Sequence, residues 1–251
     1  MNVSTPQSPL ERDSGPGLRE VILWAIYAFA SILLAVWLSW QASAYFNFGY
    51  SHWYHELSID LAIETYAPKN EFKAGFERTT DAERQRLFAN TVEAIQNGGE
   101  GLKTIRYRDP SGEPIDILFT NAEVIHLQDV ANLISFLNRV AVGLLVFCIF
   151  FIAVAKSKRF AFPSMSKLVL GVFAMIGAIG VTVLLIGPVN AFYWMHTKVF
   201  PDDHQWFFYY EESLMSLMMK APVLFGPVAL QLLAVALVIW WMHLVVLKKF
   251  V

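Results

Sequence analysis

The chain carries a single cysteine, Cys148, so no disulfide can form within it. That thiol lies inside an apolar run, where ionisation is disfavoured and reactivity is low. Charge is also sparse, with 16% of residues charged and a formal net charge of −2. Soluble domains hold about one quarter charged residues. No basic stripe exists to neutralise phosphates, which excludes a nucleic-acid binder. Two enzyme motifs are missing as well: no GxSxG elbow presents a serine, and no HExxH pair offers zinc ligands on a helix. Ser51, Thr120 and Thr197 remain as hydroxyl candidates, none in a distinctive setting. If the chain is an acyl-transfer enzyme, it is therefore expected to work without a covalent acyl-enzyme.

What is abundant is apolar sequence, 56% of the 251 residues, with a mean hydropathy of +0.45. It is gathered into four segments at about 21–40, 134–155, 168–187 and 222–247. Crossing a bilayer as a helix takes about 20 apolar residues. None of the segments alternates as a barrel strand must, so the expected fold is mainly α, a polytopic membrane protein with four transmembrane helices. The first segment is too long for a secretory h-region, and no small-x-small cleavage site follows it, so it is expected to be retained.

Lysine and arginine placement sets the expected orientation. Lys156, Lys158, Arg159 and Lys167 crowd the short connector between the second and third segments, Lys248 and Lys249 end the chain, and Arg12 and Arg19 precede the first segment. With four crossings all three clusters share one side, which predicts cytoplasmic termini. Residues 1–19 then form a disordered cytoplasmic tail, and 20–251 a single integral membrane domain. Two segments fall outside the cytoplasm: an insert of about 41–133 and a second loop of about 188–221.

The insert has the pattern of a small α+β unit. In TTDAERQRLFANTVEAIQNGG, Thr80 with Glu83 forms a capping box, Leu87, Phe88, Val92 and Ile95 make an apolar face, and Gly98-Gly99 ends the helix. Two short β-compatible runs around Asp109-Pro110-Ser111-Gly112 predict a hairpin. FTNAEVIHLQDVANLI then opens a helix capped by Thr120 or Asn121, with Glu123 in its first turn. Nothing breaks it before the second apolar segment, so one helix of about 122–155 is expected.

Five of the six histidines, His52, His55, His126, His196 and His204, lie at or beyond the outer end of the expected bundle; His243 is near the other end. Histidine exchanges protons near neutral pH, which makes this clustering the most informative feature of the chain. His126 and Asp129 are at i and i+3 and share a helix face. A carboxylate there can accept from one ring nitrogen and leave the other to take a proton, although two polar residues at a solvated helix end have the same spacing. A metal site drawn from the five outer histidines is the competing reading. Arg139, just inside the second segment, either snorkels to the headgroups or clamps an anionic or ester headgroup. Trp53, Trp194 and Trp206 suit an outer interfacial belt.

HLQDV after a hairpin, leading into a membrane helix, resembles the HMxDV-type element of a bacterial four-helix integral membrane family. MHTKVFPDDHQWFF resembles that family's second element, here His196, Phe200, Pro201-Asp202-Asp203 and Trp206, with His204 as an additional histidine. The family is that of the lipoprotein intramolecular transacylases, and the resemblance covers about 20–247. It implies a bacterial cytoplasmic-membrane enzyme, its site facing outward, that takes a diacylglyceryl lipoprotein and moves the sn-2 acyl chain to the α-amine of the N-terminal cysteine. Nucleophile and ester belong to one substrate, so the enzyme must only hold the arrangement and move protons. The resemblance implies His126 as base or proton shuttle, oriented by Asp129, and His196 as acid partner or oxyanion stabiliser. Arg139, Phe200, His204 and Trp206 are the expected substrate contacts, in a phospholipid environment, with no metal and no cofactor. Two other readings stay open: a metal-dependent membrane enzyme using the histidine cluster, and a non-catalytic membrane sensor or assembly factor presenting the insert.

Overall fold

The computed structural model describes residues 16–250. The tail expected at 1–19 thus falls largely outside the described residues, and its last two, Leu18 and Arg19, already begin a helix. The elements run α1 (Leu18–Tyr45), α2 (Tyr50–Glu56), α3 (Ile59–Tyr66), α4 (Asp81–Gln96), β1 (Arg106–Arg108), β2 (Pro114–Ile117), α5 (Asn121–Ser157), α6 (Met165–Ile186), α7 (Pro188–Val199), α8 (Leu214–Met218) and α9 (Phe225–Phe250). Four of them, α1, α5, α6 and α9, are long and apolar enough to cross a membrane. These match the four expected segments. The second loop differs from expectation, because residues 188–199 continue as helix rather than loop. Gly187, at φ +92, breaks α6 from α7, and Pro188 supplies a first-turn residue that needs no N–H partner.

In the bundle α1 packs against both α9 and α5. Polar side chains tie these helices across apolar faces: Ser39 Oγ donates to the Leu232 carbonyl at 2.7 Å, and Trp37 and Gln41 both donate to Asn138 Oδ1 at 2.8 and 3.0 Å. Satisfying such groups within the bundle matters where no water can. A bundle core of Trp24, Tyr27, Phe151 and Trp240 lies apart from a second core in the insert. The second core, built on Tyr50, Tyr54, Phe76, Leu87 and Tyr107, also takes in Leu214, Met215, Leu217 and Met218 of α8. The insert and the α7–α8 segment thus share one end of the bundle.

The hairpin forms as expected, antiparallel with Arg106 opposite Ile117, and Asp109 Oδ1 accepts from Ser111 and Glu113 in its turn. The capping box at Thr80 is only half made. Thr80 accepts from the Glu83 N–H, but the Glu83 carboxylate turns to Arg86 and to the N–H of Arg108, fastening α4 to β1. The reciprocal box is at the start of α5, where Thr120 and Glu123 cap each other. α5 itself is unbroken for 37 residues, about 55 Å. Gly99, at φ +92, leaves room for Gln128, which donates to the Gly98 carbonyl at 2.8 Å and holds α4 on α5.

Glu123 joins the two segments at this end of the bundle. Its side chain is fully buried. One oxygen accepts from the Thr120 N–H at 2.6 Å; the other accepts from Ser213 Oγ at 2.7 Å and from the Met215 N–H at 2.9 Å. Glu123→Ala strands buried donors at each site, which costs about 3 kcal/mol or more. Ser213→Ala removes one partner of Glu123 and the cap on the Ser216 N–H, and costs about 2 kcal/mol. Thermal unfolding in detergent checks the order; a Glu123→Ala protein as stable as wild type contradicts it.

Candidate functional site

His126 comes from α5 and His196 from α7, and both are buried, at 8% and 7% exposure. Their ring centroids are 6.1 Å apart with planes 27° off parallel. Aromatic rings enclose them. Phe200 stands 5.0 Å from His126 and 5.2 Å from His196, Trp206 5.0 Å from His196, Phe192 4.0 Å from His196, and Phe208 6.2 Å from His126. Tyr193 backs Trp206 at 5.6 Å. His126 stands about two turns before the long apolar run of α5, and α7 follows α6.

The hydrogen bonds of the two rings differ. His196 Nδ1 lies 2.8 Å from the Phe192 carbonyl. A carbonyl only accepts, so Nδ1 carries the proton and Nε2 is left as a bare lone pair. His126 Nδ1 is sealed from solvent without a partner. No bond fixes its tautomer, and a proton on Nε2 is the arrangement that buries no unpartnered N–H. With that tautomer the pair offers one ring as acceptor and the other as donor.

Burial governs the charge of both. It pushes His126 down from 6.5 to about 4, with the neighbouring His196 adding to the effect and Asp129 opposing it. Burial also lowers His196, against the pull of the Phe192 carbonyl. His204 moves the other way, raised first by its hydrogen bond to Asp129, with Asp129 and Asp203 adding charge attraction.

Asp129 does not hold His126, contrary to the spacing-based expectation. Its Oδ2 accepts from His204 Nδ1 at 2.6 Å. Both residues lie on one helix face, but the loop that follows α7 presents a better-placed donor. Arg139 is also not brought to the site: it is exposed, about 20 Å further along α5 and turned to another face. Phe200, His204 and Trp206 are brought there. His52 and His55 lie on α2, where His55 approaches Asp60 at 3.9 Å, and among the described residues no three His, Cys, Asp or Glu side chains group to hold a metal ion. Phe192 and Phe208 were not singled out from sequence; the aromatic density of AFYW and WFFYY around the histidines was the available signal.

Comparison with known proteins bears on this geometry. The family model of the lipoprotein intramolecular transacylase Lit matches residues 22–221. No curated protein matches the chain. Among solved structures, an in meso structure of the membrane integral lipoprotein intramolecular transacylase Lit from Bacillus cereus is similar, at TM-score 0.61 and 16% identity, covering 92% of this chain and 96% of that chain. Two structures of that protein with a histidine replaced are alike: with arginine in its place, TM-score 0.61, 16% identity and 92% of each chain; with alanine, 0.62, 15%, and 92% of this chain and 93% of that one. Identity at this level carries the fold alone.

Histidine-ring NMR on the full-length protein should find His126 neutral at pH 5, when an ordinary imidazole is charged, and His204 protonated above the ordinary 6.5. The sign for stability follows from linkage. As pH falls from 6.5 toward 4 the unfolded chain binds a proton at residue 126 that the folded chain refuses, so His126 lowers stability across that window. The His204–Asp129 contact acts oppositely, contributing below 6.5 and fading as pH rises through the raised value. A His126 ring titrating at 6.5 contradicts the sealed setting.

Proposed function

This chain belongs to the lipoprotein intramolecular transacylase Lit family, and on that premise we propose that it moves the sn-2 acyl chain of a diacylglyceryl lipoprotein to the α-amine of the same lipoprotein's N-terminal cysteine. The observation that carries the proposal is the buried His126–His196 pair, one ring bonded through Nδ1 to the Phe192 carbonyl and the other with an unpartnered Nδ1. The reaction needs an acceptor for the amine proton and a donor for the departing glyceryl oxygen, and it needs no nucleophile from the enzyme.

The residues divide the work as follows. The α-ammonium first loses one proton to solvent; His196 Nε2, whose lone pair is fixed by the bond from Nδ1–H to Phe192, then takes a second proton from the amine as nitrogen attacks the ester carbonyl. His126, through Nε2–H, stabilises the oxyanion of the tetrahedral intermediate and then protonates the glyceryl oxygen as the C–O bond breaks. Proton return from His196 to His126, directly or through the new alcohol, restores both rings. These roles exchange those expected from sequence, where His126 was the base. The aromatic wall of Phe192, Phe200, Trp206 and Phe208 excludes water, which otherwise would hydrolyse the ester.

In this reading the site faces away from the cytoplasm of a bacterial inner membrane. Supporting it, Lys156, Lys158 and Arg159 close one end of the bundle, the end opposite the histidine pair, together with Lys248 and Lys249.

Mass spectrometry of lipoprotein N-terminal peptides, from cells with and without the gene, tests the activity: the N-acylated lyso form should appear only with it. His126→Ala and His196→Ala should each lower turnover by roughly 100-fold or more. Full turnover in either variant sinks the mechanism. Orientation is checked with the one native cysteine, Cys148, buried at 4% exposure. A membrane-impermeant maleimide should label Ser111→Cys in intact spheroplasts and Lys249→Cys only after lysis; the reverse pattern overturns the outward-facing site.

A further inference from the structure

Two carboxylates flank His126 on α5, one turn to either side. Glu123 is filled, its oxygens taken by the Thr120 and Met215 N–H groups and the Ser213 hydroxyl. Asp129 is not. Its side chain is 15% exposed, its Oδ2 has a single partner in His204, and its Oδ1 makes no hydrogen bond among the described residues. His204 is itself the more open of the two, at 35% side-chain exposure, and belongs to the segment 200–208 that covers the histidine pair. Phe200, Trp206 and Phe208 of that segment contact the pair by their rings, so the only polar tie from the cover to α5 near His126 among the described residues is His204 on Asp129.

A substrate of the kind proposed above arrives with an α-ammonium. Moving a cation into an aromatic-lined site is costly unless an anion meets it. Asp202 and Asp203 sit exposed at the loop tip, and Glu123 is sealed. That leaves Asp129, with one oxygen free and the other occupied by an N–H donor of the same chemistry as an ammonium.

We propose that Asp129 is the receptor for the α-ammonium of the incoming lipopeptide, and that His204 occupies it as an internal substitute N–H donor until the lipopeptide displaces it. The inference rests on the transacylase reading for the identity of the ligand. In it the ammonium exchanges for His204 at Oδ2, the 200–208 cover loses its polar tie to α5 while its rings stay on the histidine pair, and the bound nitrogen is held one helical turn from His126. No covalent bond changes in this step. Lipids or peptides with a blocked amine have no means of displacing His204.

The test reads binding rather than turnover. The probes are two S-dialkylglyceryl cysteinyl peptides, ether-linked so that no acyl transfer occurs, one with a free α-amine and one N-acetylated. Full-length protein in nanodiscs should bind the free-amine probe about tenfold more tightly than the acetylated one. Asp129→Asn should bring that ratio near one with the acetylated probe still bound, which also shows that the variant is folded. His204→Gln should tighten the free-amine probe several-fold, since the competitor is gone. A preference that survives Asp129→Asn overturns the receptor assignment, and weaker or unchanged binding in His204→Gln overturns the competitor assignment. Should Asp129→Asn bind neither probe, Asp129→Glu decides: a retained amine preference supports the receptor assignment and a lost one overturns it. An ester-linked probe separates this from the broader reading. Amine preference without acyl transfer overturns the transacylase reading alone, and transfer without amine preference overturns this inference alone.

Discussion

The buried carboxylate of Glu123 is the constraint on which the rest of this end of the molecule depends. A carboxylate out of water must have its oxygens met by donors, and here the donors come from two distant stretches, Thr120 at the start of α5 and Ser213 with Met215 at the start of α8. One side chain thereby ends the insert, begins the longest helix and anchors the second loop. His126 is one turn further along the same helix, so its place along α5 and its direction follow from that anchor. α8 in turn delivers Leu214, Leu217 and Met218 to the core of the insert, which makes the loop part of the folded unit.

The pair of histidines is then defined by what surrounds it more than by what bonds it. Rings of phenylalanine and tryptophan remove water and hold both imidazoles neutral, a state from which one can accept and the other give a proton at neutral pH. The two local bonds have different effects. A helical carbonyl fixes the tautomer of His196, while a missing partner leaves His126 free to use Nε2. Asp129 and His204 form a separate, partly open polar contact at the edge of this enclosure. Three of the enclosing rings, Phe200, Trp206 and Phe208, come from the same nine-residue stretch as the contact, so covering the pair and tying the cover down are coupled.

Much of the architecture was legible in the residues. Four apolar runs, a Thr120 or Asn121 cap with Glu123 in the first turn of α5, a Gly-Gly stop after α4 and a Pro-Ser-Gly turn each carry a local physical reason for the element they predict, and each element is present. What escaped was short or conditional. α2 and α3 hold seven and eight residues, too few for a clear periodic pattern, and are stabilised by packing against α4 and α8. α7 looked like loop because glycine and proline precede it. Glu83 satisfied a capping pattern in sequence yet found stronger partners in Arg86 and β1.

The site shows the same division. From the chain alone came the identity of the histidines, their placement at one end of a four-helix bundle, and the nearness of Asp129 to His126 along one helix face. Those properties depend on hydropathy and helical spacing, which are local. Which donor a carboxylate chooses, which ring nitrogen is left bare and which cation stays out of the site were decided only by tertiary structure. His204 lies 75 positions from Asp129, and Ser213 lies 90 from Glu123. Hydrogen bonds of that kind are won by whichever partner the packing brings within 3 Å, and no spacing rule along a single helix contains that information.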